Sequence, residues 1–570
     1  MAPGPGFPEC GTTFLEAVRT IKPIQITSFL HTTPIPFRMF PKMPFRSLLL
    51  ALLVSVSGVL SAQPNPQFEK IESLLNLINY AYVDSVDQKK ITEDAIRALL
   101  KELDPHSVYI PAEELKEVNE PLVGKFEGVG IQFNILEDTI MVTQTIAGGP
   151  SEKLGIRSGD RIVLINDTTV AGIGIKNNDV LKKLRGDKGT KVKVSIARRG
   201  MPELIVYNIT RDKIPLFSVD ATYQAAPGVG YIKISRFADT TVDEFKEALK
   251  KLKDEHNIQS LILDLSGNGG GYLNRAIELA DEFLGTGKRI VYTEGRNNPR
   301  QESYSTNIGG WEKGKLIVLV DESSASASEI VSGAIQDWDR GLIIGRRTFA
   351  KGLVQKPFPL PDGAAVRLTI ARYHTPSGRC IQKPYEPGDE NYDMDLSQRF
   401  EHGELYSADS IKFSDSLKYE TNAGRTVFGG GGIMPDVFVP LDTSFSGKYY
   451  DELRRNGVLN DYTLTYIDGN RAKLKATYKD VYAFKKDFQL DETFMKDFIA
   501  YAEKKNIKYN EESFKKSEPL IRCQLKALLA RDLWNTSAYY YVINDINNFY
   551  TRALEVLKDD TFTRMKIAGN

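Results

Sequence analysis

Leu261-Ile-Leu-Asp-Leu-Ser-Gly-Asn-Gly-Gly-Gly-Tyr-Leu273 reads as a buried apolar strand that runs into a glycine-rich turn and out into a helix. The same alternation continues on both sides. Gly230–Ile234 reads as a strand and Val242–Glu255 as a helix. Ser260–Leu265 is followed by a helix over Leu273–Leu284. Leu316–Val320 is a strand, Ser326–Asp337 a helix and Leu342–Ile344 a strand. Over residues 213–445 this predicts a mixed βα layered domain with crossover connections. The turn superficially fits a dinucleotide fingerprint, but its sixth position is Tyr272 instead of Gly. Two readings of the three glycines remain. They make a tight packing turn, or their N–H groups converge on a developing oxyanion.

The flanks differ in character. Residues 66–117 carry a helical period (Phe68, Ile71, Leu74, Leu75, Ile78), then a second helix from Ile91 that stops at Leu103-Asp-Pro-His-Ser. Residues 118–212 are β-rich. Short runs at Val129–Phe133, Ile140–Thr145, Arg161–Ile165, Lys191–Ala197 and Leu204–Ile209 are punctuated by Gly and Asp, with one late helix at Asn178–Leu184. Residues 446–570 keep helical spacing at Phe484, Phe488, Phe494, Phe498 and Tyr501, and read as a helical C-terminal extension. At the other end, Arg46 precedes an apolar run from Leu48 to Leu60 closed by Ser61-Ala62-Gln63. The run is shorter than the ~20 residues a membrane-spanning helix needs. Its basic start and small closing residue predict a leader and signal peptide over 1–62, cleaved after Ala62, with an uncleaved anchor as the alternative.

Composition removes several function classes. Lys+Arg and Asp+Glu each number 74, which argues against nucleic acid held by bulk charge. There are three Cys (Cys10, Cys380, Cys523) without a C-x-x-C, and five His without an H-E-x-x-H. A disulfide-dense scaffold, a CxxC zinc site and the usual metalloprotease site are therefore not expected. Whether Cys380 and Cys523 pair is left open.

Three segments carry chemistry. Gly124-Lys-Phe-Glu-Gly-Val-Gly-Ile-Gln-Phe133 is a glycine turn opening onto a strand. Such a turn offers N–H groups to a carboxylate, and the strand edge can pair with an extended peptide. With Ala147-Gly-Gly-Pro-Ser-Glu-Lys-Leu-Gly-Ile-Arg-Ser-Gly-Asp-Arg-Ile-Val-Leu-Ile-Asn166 downstream, this segment resembles a PDZ domain of the bacterial protease type. The resemblance places peptide binding on Gly128, Val129, Gly130 and Ile131. The second segment, Val320-Asp-Glu-Ser-Ser-Ala-Ser-Ala-Ser-Glu329, puts several serines at a strand-to-helix junction, where capping is their common use. The third, Phe349-Ala-Lys-Gly-Leu-Val-Gln355, places Lys351 and Gln355 at i and i+4, on one face whether a helix or a strand carries them.

The second and third segments together resemble the C-terminal processing (tail-specific) protease family. Asp264–Gly271, Tyr373-His-Thr-Pro-Ser-Gly-Arg379 with Ile381-Gln382, and Gly432-Ile-Met-Pro-Asp436 add to the likeness, which spans about residues 70–440. The resemblance implies a crotonase-like layered core and an α+β multidomain chain: helical segment 66–117, PDZ domain 118–212, protease core 213–445 and helical extension 446–570. It places the nucleophile on Ser326, the general base on Lys351 and the residue orienting that lysine on Gln355. The oxyanion hole falls on Ala327 and a glycine within Gly269–Gly271, with Gly270 preferred and Gly271 beside it, and Glu329 and Asp337 are expected to support the site. Three positions depart from the family pattern. Ser266 stands for Arg, Gly269 for Pro, and Ala350 for Gly.

A lysine serves as base only when neutral. Its ordinary pKa of ~10.4 must be lowered, as burial does, and Gln355 can hold the amine without adding a negative charge. The expected activity is that of an exported serine endopeptidase that needs no metal or cofactor. Its partners would be unfolded or tagged proteins with free apolar C-termini, captured by the PDZ domain and cut near the C-terminus, in a bacterial periplasm or cell envelope or outside the cell. Residues 446–570 would serve an adaptor or a second copy, or cap the core. Two rivals are a non-catalytic PDZ adaptor or chaperone, and a Ser–His hydrolase using His374.

Overall fold

The computed structural model describes residues 65–306, 309–386, 388 and 392–567, so the proposed leader lies outside the described residues. The chain divides into two units, to Val86 and from Asp87 onward. In the first, helix Pro66–Ala81 is capped by Asn65, whose side chain accepts from the Gln67 N–H at 3.0 Å.

The second unit is α+β and multidomain, as the patterning predicts. Its β-rich module is an antiparallel sheet in the order Ile131–Leu136, Thr139–Thr145, Arg161–Ile165, Lys191–Ala197, Ile205–Thr210. Ile131–Leu136 is therefore an edge strand. The predicted strand start at Val129 moves to Ile131 because Gly130 sits at φ +76°, outside the β region. Helix Asn177–Leu184 lays Val180 and Leu184 into the same apolar core as Val129 and Ile162.

The layered core is a six-stranded sheet. Val219–Ala226 pairs antiparallel with Val229–Ile234, which is followed in parallel by Ser260–Asp264, Lys315–Val320, Leu342–Gly345 and Val437–Phe438. Alternate residues serve opposite faces. Ile232, Leu263, Val318 and Ile343 pack beneath helices Thr241–His256, Leu273–Asp281 and Ala327–Asp337. Tyr231, Ile262, Ile317 and Ile344 point the other way and are covered by Phe549, Tyr550, Val556 and Phe562 from the end of the chain. A parallel sheet needs both faces covered, and here the second cover comes from the C-terminal region. The alternation did not announce a second, five-stranded sheet. Arg289–Gly295 pairs with Asn298–Tyr304 and with Ala365–His374, which also pairs with Leu353–Pro359 and Val108–Ile110. A strand thus emerges within residues read as helical, just past the Asp104–Ser107 turn.

The C-terminal helices have their own core, including Tyr462, Phe484, Phe498, Ile521 and Leu529. They also fasten to both neighbours. Asp468 pairs with Arg161 at 3.0 Å, Arg471 donates to Ser158 Oγ at 2.8 Å, and Leu464 packs with Leu136 and Met141 of the β-rich module. Toward the layered core, Ser537 Oγ donates to Thr222 O at 3.1 Å and Asn544 Nδ2 to Tyr223 Oη at 2.6 Å. Cys380 and Cys523 are both free thiols.

Candidate active site

Strands Ser260–Asp264 and Lys315–Val320 are parallel neighbours, so the turns that follow them emerge side by side at the carboxyl end of the sheet, where open α/β sheets place their crevice. Hydrogen bonds lace the two turns together. Gly267 N donates to Asp321 Oδ1 at 2.9 Å, Ala325 N to Asn268 O at 3.0 Å and Ser328 Oγ to Asn268 O at 2.9 Å. Asn268, fully buried, anchors the glycine turn by donating to Ile234 O at 2.9 Å. A Cβ on Gly270 would stand 2.8 Å from Ala325 O and 2.9 Å from Ser326 Cβ, so only glycine allows this approach.

Ser326 precedes helix Ala327–Asp337 at φ 55° and ψ −109°, a sparsely populated conformation for a residue with a side chain. Glu329, fully buried one turn on, holds it there. Glu329 Oε2 accepts from Ser326 N at 2.8 Å and Lys351 N at 2.9 Å, and Oε1 from Ala350 N at 2.7 Å and Thr348 Oγ1 at 2.5 Å. One carboxylate therefore ties the Ser326 backbone to the segment carrying Lys351. Burial pushes Glu329 up to about 7, against the hydrogen bonds that favour its charged form. Tyr373 makes a second tie, donating toward Lys351 O at 2.7 Å and Ser326 O at 3.2 Å.

Lys351 lies just before strand Leu353–Pro359, and Gln355 within it. Lys351 Nζ donates to Gln355 Oε1 at 3.1 Å. Burial first, then the Arg367 charge, lower the Lys351 pKa, while Glu329 and Asp104 oppose them. The Gln355 amide in turn donates to the His106 carbonyl. Among the described residues no hydrogen bond joins Ser326 Oγ to Lys351 Nζ.

The expected support residues separate. Glu329 is at the centre. Asp337 is ten residues further along the helix than Ala327, about 15 Å at 1.5 Å per residue. It is engaged elsewhere, accepting from Arg379 Nη2 at 2.7 Å and Ser377 N at 2.9 Å. These bonds tie the helix to the turn after Tyr373. Gly270 N, the preferred second oxyanion donor, donates to Asn268 Oδ1 at 2.9 Å. The N–H groups of Gly271 and Ala327 have no acceptor among the described residues. His374 is stacked on Tyr292, with Nδ1 3.1 Å from Gly378 O.

Two groups carried no usable signal in the sequence. The Asp104–Ser107 turn, read only as a helix stop, brings His106 to Gln355. Asp104 shapes it by accepting from His106 N at 2.8 Å and Ser107 N at 2.9 Å. The His106 ring meets Tyr392 Oη at 2.9 Å, and burial and then the nearby Lys351 charge lower it to about 4, so it is neutral at pH 7. Lys233, nearly buried on Val229–Ile234, reaches Asp264 Oδ1 at 3.2 Å and Ser266 O at 2.9 Å, beneath the Tyr540 ring. Its ammonium brings a cation beside Ser266, where the family pattern has arginine.

In the β-rich module, the N–H groups of Val129 and Gly130 have no acceptor among the described residues, while their carbonyls accept from Ser151 N and Oγ and from Ile146 N. Gly128 ends strand Lys125–Gly128 beside the C-terminus of helix Asn177–Leu184, and Ile131 opens the edge strand.

Comparison with known proteins matches residues 228–389 to peptidase family S41, residues 141–198 to the PDZ domain and residues 55–114 to the activating protease CtpB N-terminal domain. Residues 449–535 match a family of unknown function. The carboxy-terminal processing protease CtpB of Bacillus subtilis (strain 168) is 31% identical over 372 residues, 65% of this chain and 75% of the relative. The chain belongs to the carboxy-terminal processing proteases of family S41. Another relative, the carboxy-terminal-processing protease of Bartonella bacilliformis, is 35% identical over 320 residues, 55% of this chain and 73% of its own length. A solved photosystem II D1 C-terminal processing protease aligns at 26% identity with a TM-score of 0.33, over 64% of this chain and 91% of that one. As a member of this family the chain is a serine peptidase carrying a PDZ domain. Among the described residues no helix is long and apolar enough to cross a membrane.

Proposed function

We propose that the chain is an exported endopeptidase that cuts proteins near their C-termini with a Ser326–Lys351 dyad. The observation that carries this reading is the double tie between the two residues: one Glu329 oxygen accepts from both their N–H groups, and Tyr373 bridges both their carbonyls. Ser326 Oγ attacks the scissile carbonyl carbon and Lys351 takes its proton. Burial and Arg367 favour the neutral amine this requires, and Gln355, itself held by the His106 carbonyl, orients it. Ala327 and Gly271 N–H stabilise the oxyanion. Lys351 then gives its proton to the leaving amine, and water activated by the same amine releases the acyl group. The Ser326–Lys351 hydrogen bond forms with substrate in place, since catalytic bonds often tighten only in the complex. Cofactor-free chemistry and the export signal over 1–62 belong to the same proposal.

The PDZ domain captures the substrate's terminal carboxylate on the Val129 and Gly130 amides, and the adjoining chain adds to edge strand Ile131–Leu136. Tethering raises the effective concentration of the chain at Ser326. The proposed domains follow the sequence reading, with residues 446–570 fastening the PDZ domain to the core. The test is digestion of an unfolded protein with an apolar C-terminus, read by mass spectrometry. Wild type and His374→Ala cut; folded Ser326→Ala and Lys351→Ala do not. Cutting by Lys351→Ala would overturn the dyad, and tail binding without cutting in every form would favour the adaptor.

A further inference from the structure

Residues 449–535, which match a family of unknown function, brace the PDZ domain and also line a cavity beside its edge strand. A cavity of about 410 Å³ is lined by Asn134 and Ile135 of the edge strand, Lys176 and Asn177 at the start of helix Asn177–Leu184, and Gly457, Asn460 and Asp461 at the start of helix Val458–Thr477. Its position follows from strand geometry. A tail that leaves its carboxylate at Gly128–Ile131 runs antiparallel to the edge strand, with its last residue beside Ile131. At about 3.4 Å per residue, its fourth or fifth residue from the end comes level with Asn134 and Ile135, about 13 Å along the strand.

The chemistry of the outer wall is specific. Asn460 is fixed, its Oδ1 accepting from Arg531 Nη2 at 2.7 Å, which leaves its amide N–H groups free to donate. The half-buried Asp461 carboxylate accepts no hydrogen bond and forms no ion pair among the described residues, although the Lys505 charge acts on it. Lys176, exposed on the opposite wall, opposes a cation there, as do Arg531 behind Asn460 and Lys505 near Asp461.

We infer that helix Val458–Thr477 supplies the far wall of the tail-binding groove, so that Asp461 selects substrates carrying a cationic, hydrogen-bond-donating side chain four or five residues before the C-terminus. This rests on the tail-capture reading above and extends it from the terminal residues to an upstream one. It also gives residues 449–535 a part in substrate choice.

The test uses full-length Ser326→Ala, which binds tails without cutting them. Fluorescent ten-residue peptides share one apolar terminus and carry Lys, Ala or Glu at the fourth and fifth positions from the end. Amidated versions are the control. A free-carboxylate peptide with Lys should bind about three- to fivefold more tightly than one with Glu, the range of a partly screened ion pair. Adding Asp461→Asn, nearly isosteric, should abolish that preference. Adding Lys176→Ala instead should widen it, which keeps the inference open to test if the first variant misfolds. Binding that needs the free carboxylate but ignores the upstream residue in every form would overturn this inference and leave tail capture standing. Binding indifferent to amidation would overturn both.

Discussion

Glu329→Gln separates the positioning of the site from the stability of the fold. Each Glu329 oxygen accepts two hydrogen bonds. The variant keeps one acceptor oxygen and turns an NH₂ toward the other pair of donors. Two buried donors lose their partner, at about 1–3 kcal/mol each. In the other direction, the substitution removes a buried charge. Raising a carboxyl from 4.5 to about 7 corresponds, at 1.36 kcal/mol per unit, to about 3 kcal/mol of destabilisation of the folded state wherever the group is ionised. The two effects nearly cancel above pH 7, so the variant should unfold within a few degrees of wild type at pH 8. Below pH 7 the balance shifts. The folded wild type binds the extra proton between pH 7 and 4.5, so its stability from this group is greatest at low pH and is lost as pH rises through about 7. The variant's deficit should therefore be about 3 kcal/mol larger at pH 4.5 than at pH 8. Activity has no such compensation. Whichever way the amide turns, the segment carrying Lys351 loses ties, either Ser326 N and Lys351 N together or Ala350 N and Thr348 Oγ1 together, and displacement of reacting groups by about 1 Å costs on the order of 100-fold. Thermal unfolding at the two pH values, with kcat on a quenched peptide, reads both quantities. A variant that keeps kcat within threefold of wild type would refute the clamp.

Arg367→Gln removes a positive charge that helps keep Lys351 neutral. The Lys351 pKa should rise, and the acid limb of the kcat profile should move to higher pH with little change in its plateau. Asp337→Ala strips Arg379 of its partner in a pair with no exposed side-chain surface. The loss should be about 3–5 kcal/mol in denaturant unfolding, with kcat per folded molecule preserved. Ala350 sits at φ 75°, so Ala350→Gly should add about 0.5–1 kcal/mol, the relief of left-handed strain less the entropy of glycine; a drop in melting temperature would contradict this.

The layered core was legible because its elements are local: each apolar run meets a turn signal and a helical period within a few residues. Ser326, Lys351 and Gln355 stood out through a spaced motif; in the fold Glu329 ties the backbones of Ser326 and Lys351, and Lys351 Nζ meets Gln355 Oε1. The His106 carbonyl was not, since its part depends on pairing between Val108–Ile110 and Ala365–His374, more than 250 residues apart, and a carbonyl carries no residue-type signal. Gly270 and Gly271 look alike in sequence. Which one presents a free N–H depends on the side chain of Asn268. Lys233 was missed because a lysine in an apolar strand reads as an exception until Asp264 is found beside it. At Ala350 a preference for glycine becomes intelligible only with the backbone angle known.

The second face of the central sheet is closed by residues 549–567, and this sets an order of events during synthesis. A growing chain has made Ser326, Lys351 and all six central strands more than a hundred residues before the helix that shields Tyr231, Ile262 and Ile317 exists. Until then that sheet has one wet face, and the strands that aim the glycine turn at Ser326 are without their cover. A ribosome-bound protease of this design would thus emerge incomplete, its peptidase core closing only when residues 549–567 arrive.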